Sequence, residues 1–154
     1  MIEILKNERI LNVYSNEGRP VRSFPISLGK NPLHPKTQEG DGRTPEGAYR
    51  IISRNPQSKF HLSFGINYPS CADAEKALRE KRIRFFQYAA IRVCHLIGVR
   101  PPWKTPLGGY IMIHGESPEQ KTGDWTMGCI ALSNRDIESL DVLIKKGDIV
   151  NILP

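Results

Sequence analysis

The sequence predicts a mainly β fold of the α+β class, built as one domain over residues 1–154, with a helical insert across 72–109 and a helix near the C-terminus. Three observations predict it. Short stretches of alternating apolar and polar residues recur through the N-terminal half and again at the end of the chain, the period-two signature of strands. Apolar residues at three- and four-residue steps are confined to Ala72–Ile97 and Ile137–Ile144, which read as helices. The length of 154 residues suffices to bury a real core in one domain.

Taken in order, Met1–Leu5 is too short and too acidic for a signal peptide, so structure is expected to begin at once. Arg9–Ser15 sets Leu11 and Val13 against Ile10, Asn12 and Tyr14; Asn16-Glu17-Gly18 turns the chain, and Val21–Leu28 returns as the second arm of a hairpin. Gly29–Gly47 holds three prolines and four glycines, a loop whose first half is either functional or a plain connector. Ala48–Arg54 reads as a strand with Tyr49 and Ile51 on one face. Phe60–Ser70 alternates Phe60, Leu62 and Phe64 against His61 and Ser63, a half-buried strand with His61 on its solvated side. Ser70 followed by Asp73 is a capping-box start for a helix.

The helical pattern from Ala72 to Ile97 is uneven, and two helices with a break near Arg82 fit it better than one. Three prolines keep Gly98–Gly109 out of regular structure. The insert is expected either as a cap beside a groove, with Trp103 near its tip, or as a packed flank. Tyr110–Ile113 is a short buried strand ending at His114, and Ile130–Leu132 is another. Ser133 or Asn134 caps a helix running to about Lys145, Lys145-Lys146-Gly147 ends it, and Asp148–Leu153 closes the sheet.

The formal net charge of +6 suggests an anionic partner without choosing one, and lipid headgroups and nucleic acid are among those that qualify. No nucleic-acid-binding motif accompanies the charge, so none is expected; the densest cluster, Arg79–Arg84, reads as a solvated helix face. No apolar run is long enough to span a membrane. Three cysteines argue against a disulfide framework, although Cys71–Cys94 stays open, and their spacing with the histidines suggests no metal site.

Chemistry concentrates in Gly108–Asn134. His114 ends one strand, and Cys129 stands just before another, fifteen positions later. Cysteines and strand-end histidines more often only pack. Here, however, the two meet if their strands are neighbours, and the loop Glu116–Trp125 is long enough to allow that. An imidazole within reach can then make the thiol a nucleophile. Gly128 removes bulk beside the sulfur and lets backbone N–H groups converge there, as a tetrahedral oxyanion requires.

His114-Gly115, Thr126-x-Gly128-Cys129-Ile130 and Asn134-x-Asp136 resemble the signature of the L,D-transpeptidase (YkuD) catalytic domain family. Thr44-Pro45-Glu46-Gly47 resembles that family's TPxG segment, and the resemblance runs from about Ile10 to Leu153. It implies a β-sandwich of mixed sheets and cysteine-dependent acyl transfer on peptidoglycan stem peptides, without cofactor or metal. Cys129 is then the nucleophile and His114 the base, oriented by the backbone carbonyl of Gly115. The N–H groups of Met127, Gly128 and Cys129 are oxyanion candidates, and Trp125, Thr126 and Tyr68 are candidate substrate contacts. Asp136 lies where a helix N-terminus uses an aspartate, so no acid is assigned to a triad.

Two positions depart from the pattern. Met127 stands where many members carry histidine or another polar residue, and Ala131 replaces an arginine common two places after the cysteine. The sequence resembles the branch with Gly-Cys-Ile-Ala, which includes transpeptidases and hydrolases acting where lipoprotein joins the wall. Hydrolysis is therefore a second reading, as carboxypeptidase or by releasing wall-linked lipoprotein. A wall-binding module without catalysis is a third. The resemblance implies a periplasmic or cell-envelope location, while the absence of a leader in this sequence leaves the cytoplasm open.

Overall fold

The computed structural model describes residues 1–119 and 121–154; residue 120, in the polar loop expected over Glu116–Trp125, lies outside the described residues. Strands β1 (Ile2–Leu5), β2 (Ile10–Tyr14) and β3 (Pro20–Pro25) form an antiparallel meander. β4 (Gly47–Ser58) and β5 (His61–Ile66) follow as a hairpin, then helices α1 (Cys71–Arg79) and α2 (Phe85–Leu96). β6 (Met112–His114), β7 (Ile130–Ala131), α3 (Asn134–Asp141) and β8 (Ile149–Leu153) complete the chain.

All eight strands join one mixed sheet in the order β3-β2-β1-β8-β4-β5-β6-β7, with β1–β8 and β6–β7 parallel. The expected sandwich takes the form of one continuous sheet in which β4 belongs to both halves. Its first residues pair with β8 and its later ones with β5. The chain leaving β3 then reaches the far edge of the sheet, where Ser27 and Ala131 exchange two backbone hydrogen bonds of 2.8 Å. That contact brings the first loop up against the segment holding Cys129.

Period-two patterning sets the core. Ile2 and Ile4 on β1, Leu11 and Val13 on β2, and Val150 and Ile152 on β8 are all buried, as alternation requires. They share one apolar cluster with Phe64 and Ile66 of β5, Ile113 and Ile130 at the site, and Ile137 and Leu140 of α3. β5 departs from the half-buried expectation: Leu62 to Ile66 are buried continuously, because α3 packs against this strand. β4 runs four residues past the expected end at Arg54, to Ser58. Its distal part is exposed, so burial left no pattern there, and Pro56 sits where the register slips between Asn55 and Ser58.

Ser70 caps α1 with the expected reciprocal bonds to Asp73, and Lys81, at φ +57°, marks the break before α2. These helices enclose a second cluster of Ala74, Ala77, Ile83, Ile91 and Leu107. α3 begins after Ser133 as expected but ends at Asp141, short of Lys145. Gly147 instead serves the turn into β8, its N–H donating to the Ile51 carbonyl at 2.8 Å. The cysteines are free thiols, so Cys71 and Cys94 form no bridge.

Candidate active site

Parallel pairing of β6 with β7 places Ile113 opposite Ile130 and His114 opposite Ala131. Cys129 therefore stands one residue before β7, beside Met112 on the neighbouring strand. Cys129, His114, Trp125, Met127, Phe60 and Lys59 line one cleft of about 510 Å³, closed on another side by Ser117–Glu119. The structure thus brings the thiol and the imidazole to a common cavity.

His114 is held on every side. Its ring is 2% exposed as a residue, stacks on Phe60 at 4.4 Å between centroids, and meets the edge of Trp125 at 5.6 Å. Nδ1 lies 2.7 Å from the Gly115 carbonyl oxygen. A carbonyl only accepts, so Nδ1 carries the proton and Nε2 is left with its lone pair. Burial lowers the imidazole below its ordinary 6.5, the Gly115 carbonyl opposes that shift, and the charge of Lys59 adds to it. The lowered ring is neutral at pH 7, the state in which an imidazole can accept a proton.

The turn after His114 tolerates only glycine. A Cβ on Gly115 would come within 2.6 Å of Asn134 Oδ1 and of the Phe60 carbonyl oxygen. Asn134 Oδ1 accepts the Glu116 N–H at 3.0 Å, so the asparagine of α3 pins the chain leaving the histidine. Asp136 accepts from the Ser133 hydroxyl at 2.8 Å in the first turn of α3, the helix-capping role expected for it.

The Cys129 thiol donates to the Tyr110 carbonyl at 3.3 Å and accepts the Met112 N–H at 3.4 Å. Among the described residues the imidazole is not one of its hydrogen-bond partners. Burial pushes the thiol up to about 11, against the pull of the Met112 N–H and of the Lys36 and Lys59 charges. Thiol and imidazole are both neutral at rest, rather than a preformed ion pair.

Three expected site residues stand differently from the sequence reading. Gly128 does hold a conformation that side chains avoid, at φ +127°, and a Cβ there would lie 2.5 Å from the Arg43 carbonyl oxygen. Its N–H, however, is already given to Thr126 Oγ1 at 3.1 Å, so it is not available to an oxyanion. Thr126 lines the cleft, but its hydroxyl also donates to the Cys129 carbonyl at 2.7 Å. That side chain fastens the turn, and its one hydroxyl proton is already committed to the Cys129 carbonyl rather than free for a substrate. Tyr68 is 1% exposed, donates to the Leu107 carbonyl at 3.1 Å and lines a separate cavity, so the structure does not bring it to the cleft. By contrast, the N–H groups of Met127 and Cys129 have no hydrogen-bond partner among the described residues.

Other residues of the cleft escaped the sequence. Phe60 was legible as an apolar position but not as the platform under His114, since it is the β4–β5 turn that delivers it. Lys59 precedes it in that turn, exposed, with Nζ 4.9 Å from the Phe60 ring centre and no ion pair among the described residues. Tyr110, at φ +57°, turns its carbonyl to the thiol while its ring packs on Trp103 at 4.0 Å. Trp103 itself does not line the cleft.

The first loop supports this geometry from behind. Thr44 Oγ1 accepts the Gly29 N–H at 3.0 Å, and buried Lys6 reaches Glu46 at 2.6 Å. Asp41 accepts N–H groups from Thr37, Gln38 and Arg43 and pairs with Lys36 at 2.9 Å. Burial alone would raise the Asp41 carboxyl, but these donors hold it below the usual range. The stretch is scaffold, not a loose connector.

Known proteins resemble the chain over nearly its whole length. The model of the L,D-transpeptidase catalytic domain, YkuD, matches residues 1–152. YafK of Escherichia coli (strain K12), provisionally named an L,D-transpeptidase, is 26% identical over 145 residues, covering 90% of this chain and 44% of that protein. The helical cell shape determining protein Pgp2 of Campylobacter jejuni superposes with a TM-score of 0.69 at 25% identity, over 98% of this chain and 46% of that one. Bd1075 of Bdellovibrio bacteriovorus shares the fold with a TM-score of 0.65 at 24% identity, over 99% of this chain and 47% of that one. The chain spans about half the length of these relatives.

Proposed function

The chain belongs to the L,D-transpeptidase catalytic domain family, whose activity is of the peptidoglycan transpeptidase type, and on that premise we propose that residues 1–154 form one domain catalysing acyl transfer between stem peptides through a Cys129 thioester. The observation that supports this reading most is the pairing of β6 with β7, with neutral His114 and Cys129 on one cleft. At neutral pH a thiol at about 11 is almost wholly protonated, so the nucleophile forms only as the substrate arrives. The sulfur turns from the Tyr110 carbonyl toward His114 Nε2, which takes its proton while Nδ1–H stays on Gly115.

The sulfur attacks the carbonyl of the third stem residue, and the oxygen bearing the developing charge is met by the N–H groups of Met127 and Cys129. Gly128 contributes conformation and not a donor. Imidazolium returns the proton to the departing amine of D-alanine, leaving the thioester. An acceptor amine, deprotonated by the same imidazole, resolves it into a crosslink and restores the thiol. Trp125 and Met127 line the acyl site, and Lys59 supplies positive charge at its mouth for the stem carboxylates.

Ala131 favours a second reading. Buried and paired with Ser27 on the backbone, it offers no cation where the family commonly has arginine. A donor whose terminal carboxylate is already bonded, as in a lipoprotein linkage, then fits, and water replaces the acceptor amine. Either reaction assigns the protein to the cell envelope, among its peptidoglycan substrates. Incubation with purified disaccharide-tetrapeptides separates the readings. Crosslinked dimers are expected from a transpeptidase and loss of alanine from a carboxypeptidase, while unchanged peptides with release of wall-linked lipoprotein would reverse the preference.

A further inference from the structure

α2 turns an apolar face outward. At about 100° per residue, Phe85, Leu96, Val93, Phe86 and Ile97 fall on one arc of roughly 120°. Their exposure runs from 53% for Val93 to 85% for Leu96. Only the opposite side of the helix, with Ile91 and half-buried Tyr88, packs on α1. Val99, just beyond the helix, is also exposed.

The same region carries the charge of the protein. Residues 79–104 contain seven lysines and arginines against Glu80 alone, a net +6 equal to the formal charge of the whole chain. Arg84 precedes α2, Arg92 borders its apolar arc and hydrogen-bonds Tyr88 at 2.9 Å, and Arg100 follows, over the Trp103 ring at 4.2 Å.

We propose that this face of α2 docks onto a bilayer surface bearing anionic lipid headgroups. Apolar side chains in the acyl boundary, rimmed by cations at headgroup level, are how a helix lies on a membrane without crossing it. α2 has 12 residues and is about 18 Å long, too short to span. The charge decides against the alternatives. A second copy using the same face would set like charge against like charge across a two-fold axis. A hydrophilic polyanion would satisfy the arginines yet leave Leu96, Ile97 and Phe86 in water. A lipid surface takes both.

Flotation with vesicles of phosphatidylcholine mixed with phosphatidylglycerol, and of phosphatidylcholine alone, tests this. Binding to the anionic vesicles is expected, weakening with added salt and much lower on the neutral ones. Leu96→Asp with Ile97→Asp, both exposed, should reduce partitioning at least about tenfold while leaving the melting temperature unchanged. Arg84→Gln with Arg92→Gln should remove the preference for phosphatidylglycerol. Equal binding to both vesicle types overturns the proposal, as does anionic binding undiminished in the aspartate variant. Absence of vesicle binding by the unaltered chain, with or without dimers that the aspartate variant dissolves, overturns it too.

Discussion

The Nδ1 of His114 lies 2.7 Å from the carbonyl oxygen of Gly115, the very next residue along the chain. In the mechanism we propose, the backbone thus stands in for an orienting carboxylate, fixing the tautomer without adding a charge that would raise the imidazole. Burial is then free to keep it neutral.

The pH dependence follows. His114 titrates below 6.5, so the acid limb of kcat/KM should have its midpoint below that value, with activity level through neutrality. Stability shares the sign. The unfolded histidine protonates first as pH falls, so what His114 contributes is complete above 6.5 and is lost on acidification through its folded value. A rate profile with its acid midpoint above 6.5 would show that the imidazole is not so buried.

Lys59 is the handle on that midpoint. Its charge lowers both His114 and Cys129, so Lys59→Ala should move the acid limb upward and slow thiol alkylation at neutral pH. KM for anionic donors should rise, and the effect should fade at high salt. An unchanged pH profile together with an unchanged KM would remove Lys59 from the site.

Thr126→Val strips the Gly128 N–H and the Cys129 carbonyl of their shared partner. Leaving two such groups unsatisfied costs about 1–3 kcal/mol each, and the Met127–Cys129 turn should loosen, with kcat falling more than KM rises. Thr126→Ser keeps the hydroxyl and should restore most of the rate. If valine and serine variants behave alike in steady-state kinetics, the hydroxyl is not what holds the turn.

Gly128→Ala adds a Cβ 2.5 Å from the Arg43 carbonyl oxygen at a φ of +127°. Destabilisation of at least about 2 kcal/mol is expected in thermal unfolding, from strain and displacement of the first loop together. A melting temperature within a degree or so of the parent would mean that the loop yields easily.

What the sequence revealed was governed by local rules. The capping box at Ser70 and Asp73, the break between α1 and α2, and two short strands able to bring His114 toward Cys129 all follow from patterns a few residues long. What it hid depends on distant partners. Nothing near Tyr68 announces that Leu107 will claim its hydroxyl; the bond from the Gly128 N–H to Thr126, only two residues away, is by contrast a local hydroxyl turn. Phe60 meets the imidazole because β5 pairs with β6, where the Gly115 N–H donates to the Phe60 carbonyl at 3.1 Å. Periodicity identified α2 as a helix but could not tell which apolar side the core would leave exposed.

The most direct test is the mass of the intact protein after rapid mixing with disaccharide-tetrapeptide and acid quench. An adduct equal to the donor less D-alanine should appear, and peptide mapping should find it on Cys129, absent from Cys129→Ala. No adduct at any quench time, or one carried by Cys71 or Cys94, would contradict the mechanism.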